Sequence, residues 1–281
     1  MSFEQWEQRY PLGDKVRVLT VHPAGLIALE KPVGILSHPN SRQDKERSLL
    51  KANYSHDHER YYNLNDQGDE LFLCHRLDSA TSGVILLAQS LEMAKTVREL
   101  FSSHRMEKHY LAVVRGRPRP QDVWIDHISP ADMPYGGSRS GRPVQMRCRQ
   151  QLVKLDANRL GLSLIQLIPA TGRTHQLRIQ CANHGLPILG DRTYGDFRVN
   201  RSLARLLGFE RLFLHASELA FDFMHAGKLE KFRAESPMPN SFRLVIDQNP
   251  ALNRVNYNLP PSRHGVPQSR RRNQGPASPR G

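Results

Sequence analysis

The chain has 281 residues, a hydrophobic fraction of 38%, a formal net charge of +13 and a pI near 10.0. No run of about 18 apolar residues occurs, so no membrane-spanning helix is expected, and the opening MSFEQWEQRYPLGD lacks the basic-then-apolar order of a secretory signal. Three widely spaced cysteines suit a reducing compartment, so the expected location is cytoplasmic.

The surplus of positive charge points to a polyanionic partner. No basic amphipathic helix stands out to dock on a membrane surface, so nucleic acid is the expected partner, beside the competing reading of a basic protein with no nucleic-acid role. Composition does not separate RNA from DNA.

Along the chain, Val16–Pro39 alternates apolar and polar residues with Pro-Ala-Gly and Lys-Pro-Val-Gly as turn signals. It predicts short strands joined by tight turns. Ser41 to Glu70 is polar and is predicted to be a surface excursion. Gly83–Ala88 (GVILLA) is a continuous apolar run suited to a central strand. Leu91, Ala94, Val97, Leu100 and Phe101 fall at helical spacing after Ser90, a predicted N-cap. Lys108–Gly116 reads as a strand, and Tyr135 to Met146 as a Gly- and Arg-rich loop.

The stretch after Leu162 begins as a strand, turns at Pro169–Gly172 and continues into a helix or strand carrying Arg178. Arg211 to Phe223 alternates like a further strand. From Ala251 the composition shifts to Pro, Asn, Ser and Arg with no acid, too little apolar surface to offset ordering entropy. The expected organisation is one catalytic domain over 1–250, with no separate RNA-binding module before it, and a disordered basic tail over 251–281.

Three stretches carry chemistry: HRLD (His75–Asp78), KHY (Lys108–Tyr110) and TGRTHQLR (Thr171–Arg178). Asp78 is a solitary carboxylate set beside an arginine, just before an apolar strand. A lone carboxylate can act covalently or as a base, and one suffices where no water has to be activated, unlike the paired acids of glycoside hydrolases. Burial of such a group favours its neutral form unless a cation stands nearby. The competing reading is that Asp78 caps a turn through Ser79 and Thr81.

These motifs appear in a fixed order, with EKPVGILSHP before them, HGLPILGDRTYG (His184–Gly195) after, and RLFLHASELAF near the end. In that combination the chain resembles the RluA-type pseudouridine synthases, from about Val16 to Val245. The resemblance implies an α+β fold: a mixed, largely antiparallel sheet with flanking helices and a central active cleft. It implies isomerisation of a uridine in structured RNA, with Asp78 essential as nucleophile or base. Arg173 is then the guanidinium paired with Asp78, and Tyr110 the ring that stacks on the uracil and moves a proton. Arg76 is then the arginine that contacts the distorted RNA. A monomer is the family expectation.

The implied reaction exchanges one sugar–base bond for another with no redox change, so no cofactor is expected. The target base must leave its stack, which costs least in unpaired regions, so a stem-loop of ribosomal or transfer RNA is the expected substrate. Lys31, Lys108, Arg178 and the Gly-Arg loop are expected to contact its phosphates.

The pairs Cys74–His75 and Cys181-x-x-His184 lack a second Cys-x-x-Cys, so no metal site is expected. His75, His175 and His215 read as structural hydrogen-bonding groups. Gln180 stands where the family commonly has histidine. The alternative to an enzyme is a noncatalytic RNA-binding or chaperone protein on the same scaffold, in which Asp78 is dispensable.

Overall fold

The alternating N-terminal segment folds as the pattern dictates. In the computed structural model, which describes residues 3–129, 142–155, 161–208 and 210–247, α1 (Phe3–Arg9) leads into β1 (Arg17–His22) and β2 (Leu26–Lys31). These pair as an antiparallel hairpin turned at Gly25, whose φ of 81° is open to glycine at little cost. Short strands β3 (Asn53–Ser55), β4 (Arg60–Tyr62) and β5 (Leu71–Leu73) follow, then β6 (Ser82–Ala88), with every residue buried. The predicted helix is α2 (Leu91–Ser102), and the Ser90 side chain caps it by accepting from the Met93 N–H. It buries Met93, Ala94, Val97 and Leu100, while Leu91 stays at the surface.

The second half supplies β7 (Glu107–Arg115), β8 (Gln121–Ile128), β9 (Val144–Leu155), β10 (Leu162–Pro169), α3 (Gln176–Asn183) and α4 (Phe197–Leu207). It ends with β11 (Leu214–His225), β12 (Lys228–Glu235) and α5 (Asn240–Ile246). The strands join in one sheet with the path β3-β4-β5-β6-β11-β7-β10-β9-β8, while β2 pairs β6 and β1, and β12 pairs β11. Only β6 and β11 run parallel among the described pairs, so the sheet is mixed and largely antiparallel as expected. At that junction Gly83 has φ 117°, and a Cβ there would fall 2.1 Å from the Ala216 carbonyl oxygen. The strands approach this closely because glycine has no side chain.

Two readings need correction. The polar stretch from Ser41 to Glu70 is not merely a surface excursion. Leu49, Leu50 and Tyr61 within it are fully buried, packed with Trp6, Ile27, Ile85 and Leu87. The predicted loop Tyr135 to Met146 lies mostly outside the described residues, and its end is strand, because β9 begins at Val144. β8 and β9 were not foreseen. In β9 the buried Met146, Cys148 and Gln150 alternate with exposed polar or charged residues, while in β8 only Trp124 and Ile128 turn inward and Val123 and Ile125 stay exposed.

The core divides into clusters on the two faces of the sheet. One lies beneath α3, α4 and α5, another around α1, and a third beneath α2. Tyr110, in β7, packs against both of the first two. No helix among the described residues is long and apolar enough to cross a membrane.

Candidate active site

The loop between β5 and β6 carries HRLD, and its geometry decides what Asp78 is free to do. The turn there is closed by backbone, the Thr81 N–H donating 3.0 Å to the Asp78 carbonyl. The carboxylate is therefore not consumed as a cap. Its Oδ2 lies 3.2 Å from Nη1 of Arg178 and 3.5 Å from Nε2 of His175.

Both partners come from one turn-to-helix transition. The chain leaves β10, and His175 adopts a left-handed conformation (φ 55°, ψ 13°) as the residue before α3. That conformation costs a non-glycine residue on the order of 1 kcal/mol. It brings the imidazole beside Asp78 and starts the helix so that its third residue, Arg178, faces the same carboxylate.

Arg178 is also fastened from behind. Its Nε and Nη2 donate to the two carboxylate oxygens of Asp191 at 2.7 and 2.8 Å, a bidentate pair, and Nη2 reaches Thr193 Oγ1 at 3.2 Å. Its guanidinium carbon sits 5.2 Å from the Tyr194 ring centroid. Asp191 in turn accepts the backbone N–H groups of Thr193 and Tyr194. Burial alone would raise the Asp191 carboxyl, but the bond from Arg178 leads a set of interactions that holds it below the ordinary value. Burial lowers the His175 imidazole, against the pull of the Asp78 charge. The Tyr194 hydroxyl lies 3.2 Å from His175 Nδ1. Donation of that hydroxyl to Nδ1 leaves a proton on Nε2, toward Asp78.

Tyr110 lines the same cleft from β7, where it stands opposite Leu167 of β10 and Ala216 of β11. Burial first, and then the Asp78 charge, pushes its phenol well above the ordinary tyrosine value. The cleft has a volume of about 540 Å³ and brings together all three sequence motifs, with Arg76 and Arg173 exposed among its lining residues.

Several predicted roles change. The guanidinium on Asp78 belongs to Arg178, not Arg173. Arg173 lies before the helix, exposed, and makes no ion pair among the described residues. Arg178 is consequently committed to two carboxylates and is not placed to hold a phosphate. Lys31 is 0% exposed, and its Nζ donates to the carbonyls of Pro32, Ile35 and Ser79, so it fixes the Asp78 loop from beneath and cannot meet RNA. Three acceptors match the three N–H groups of an ammonium, although burial pulls its pKa down to about 7. Lys108 is buried in the cleft wall, where Nζ donates to the Thr171 carbonyl and burial lowers its pKa to about 8.

The remaining polar residues have structural partners. His75 Nε2 accepts from the Leu86 N–H, and His215 joins Ser82 Oγ to the Ser236 carbonyl. His184 stacks on Trp124 and faces Asp126. Gln180, the departure from the common pattern, is fully buried and donates to Asp126 and to the Met146 carbonyl, which ties α3 to β8 and β9. Asp191, Thr193 and Tyr194 were not foreseen as parts of this site. The signal available was the lone acid Asp191, placed just after the apolar, glycine-bounded run Gly185–Gly190 in HGLPILGDRTYG.

Comparison with known proteins bears on the family and the fold. The family model described as RNA pseudouridylate synthase matches residues 25–183. The chain is 34% identical over 236 residues to tRNA pseudouridine synthase C of Haemophilus ducreyi, covering 79% of this chain and 91% of that protein. It is 34% identical over 198 residues to ribosomal large subunit pseudouridine synthase C of Escherichia coli (strain K12), covering 66% of this chain and 58% of that protein. Among solved structures, Human RNA Pseudouridylate Synthase Domain Containing 4 superimposes with a TM-score of 0.56 at 25% identity, over 80% of this chain and 89% of that one. With more than half of its residues matched by the family model and its fold shared with a solved relative, the chain belongs to the RNA pseudouridylate synthase family and is an RNA pseudouridine synthase.

Proposed function

We propose that this enzyme isomerises a uridine presented in a stem-loop of transfer or ribosomal RNA, with Asp78 as the carboxylate that opens and recloses the sugar–base link. The observation that carries the reading is the placement of Asp78 Oδ2 against Arg178 and His175 in the cleft that Tyr110 lines. A cleft of about 540 Å³ is within the range that encloses a single small ligand, here one extruded nucleotide. The relatives named for transfer RNA and for ribosomal large subunit support a structured RNA as substrate.

In the reaction the bond from N1 to ribose C1′ breaks and a bond from C5 to C1′ forms. The C5 hydrogen leaves as a proton and N1 gains one, so atoms and electrons balance within the substrate. Asp78 acts either by adding to C1′ or by taking the 2′ proton, and is regenerated in both courses. Arg178 supplies fixed positive charge beside the carboxylate without reorganising, because Asp191 already orients it. The Tyr110 ring offers an aromatic face to the detached uracil, and its hydroxyl is a group able to move a proton. Arg76 and Arg173, exposed at the cleft, are suited to the phosphates flanking the extruded base.

The test is tritium release from 5-tritiated uridine in two RNAs of the same sequence, one a hairpin with the target in its loop and one a full duplex. Because unpairing costs a few kcal/mol, the hairpin is expected to react about tenfold faster or more. Equal rates would contradict the stem-loop reading.

A further inference from the structure

A second groove, of about 610 Å³, lies along the free edge of the sheet and takes no part in the site described above. β3 is the terminal strand of the sheet path, so one side of its backbone is unpaired among the described strands. Such an edge presents N–H and C=O groups in a row. Asn53, Tyr54, His56 and Tyr62 line the groove, with Arg42 and Lys45 on its rim. His38 stacks flat on Tyr54, with centroids 4.8 Å apart and an interplanar angle of 8°, and His56 meets both rings edge-on. The acid in the neighbouring turn, Asp44, is taken up by Ser41 and Arg47. Arg42 and Lys45 have no carboxylate partner among the described residues.

The groove is stitched to the catalytic loop. Ser37 Oγ donates 2.7 Å to the Leu77 carbonyl and accepts the Leu77 N–H at 3.0 Å, and the Tyr61 hydroxyl donates to the Ser37 carbonyl. His38 therefore follows, by one chain step, a joint whose other side precedes Asp78 by one step. With Cα atoms ~3.8 Å apart per step, the two residues are within about 15 Å of one another. Arg76, one step beyond the joint, lines the catalytic cleft.

We infer that this groove holds an unpaired nucleobase of the substrate RNA, near the target uridine, with Tyr62 and the Tyr54–His56 cluster against the base and Arg42 and Lys45 on its phosphates. Aromatic side chains beside uncompensated cations are the composition that single-stranded RNA requires, since every base has a face to stack and every linkage a charge. The exposed amide of Asn53 and the free strand edge supply donors and acceptors for the base's own edge. The inference rests on the reading of the substrate as structured RNA.

The experiment uses the full chain and a pool of transfer-RNA and ribosomal-RNA transcripts made with 5-tritiated uridine, and a parallel pool made with 4-thiouridine for photo-crosslinking. The R42A/K45A double variant changes only surface groups. It is expected to raise KM about tenfold with kcat within about twofold, and to flatten the plot of log affinity against log salt by about 1.4, two single-strand phosphate contacts. Tyr62→Ala is expected to raise KM about tenfold through lost stacking, with Tyr62→Phe restoring it. Crosslinks are expected in the peptide spanning 41–62. Unchanged KM and salt slope in the double variant, a loss confined to kcat, or crosslinks confined to the cleft peptides would overturn the inference. If the wild type releases no tritium from any transcript but still crosslinks through 41–62, the catalytic reading fails and the groove stands.

Discussion

Arg178 holds Asp78 with one nitrogen and Asp191 with the other two: Nη1 is 3.2 Å from Asp78 Oδ2, while Nε and Nη2 clamp both oxygens of Asp191. The cation beside the candidate catalytic carboxylate is thus positioned by a second, buried carboxylate that does not face the cleft.

Asp191→Asn tests that arrangement. The amide keeps the shape and an acceptor for the Thr193 and Tyr194 N–H groups, but removes the charge opposite a buried guanidinium. Breaking a buried pair in this way costs about 3 kcal/mol. For a domain of this size Tm is expected to fall by roughly 6–12 °C. Tritium release is expected to fall as well, because Arg178 is then free to turn. An unchanged Tm by calorimetry would contradict the positioning role.

Exposure sorts the cations expected to meet RNA from those that are not. Arg173→Ala, at the open cleft, is expected to reduce the salt slope of RNA binding by roughly one. Lys31→Met, beneath the Asp78 loop, is expected to leave that slope unchanged in whatever fraction remains folded, since its Nζ is enclosed by three carbonyls. Filter binding at a series of salt concentrations checks both. A reduced slope in the Lys31 variant, or none in the Arg173 variant, would reverse the assignment.

His215 makes the fold sensitive to acid. Burial pushes its pKa from 6.5 down to about 4, and its neutral ring, on β11, bridges Ser82 of β6 and the Ser236 carbonyl just after β12. The folded value lies below the unfolded one, so between these limits the unfolded chain binds the extra proton. The contribution is complete above about pH 6.5 and is lost as pH falls through about 4. Its full size is on the order of 3 kcal/mol. Urea unfolding of wild type and His215→Gln is expected to show their difference narrowing by about that amount from pH 7 to pH 4. Parallel pH profiles would contradict it.

The elements legible in the sequence are those where one physical signal dominates. β6 is an uninterrupted apolar run, α2 has helical spacing and a serine cap, and Asp78, Tyr110 and the TGRTHQLR turn stand in motifs that fold to a single cleft. The pairing of Asp78 was not legible, because two arginines five residues apart share one motif. Only the start of α3 at Gln176 decides that Arg178 turns inward and Arg173 outward. Lys31 and Lys108 looked like phosphate ligands because charge is visible in a sequence and burial is not. The stretch from Ser41 to Glu70 hid Leu49, Leu50 and Tyr61 from view, since a few apolar residues among many polar ones carry no period. β9 was obscured because cysteine, methionine and glutamine fill its inward positions in place of branched aliphatics.

The most direct measurement is the rate of 5-tritium release by Asp78→Asn on a hairpin RNA that the wild type modifies. The substitution is nearly isosteric at a half-exposed loop position, so circular dichroism and RNA affinity are expected to match the wild type while release falls by several orders of magnitude. Release at the wild-type rate from the folded variant would contradict the assignment of the chemistry to this carboxylate.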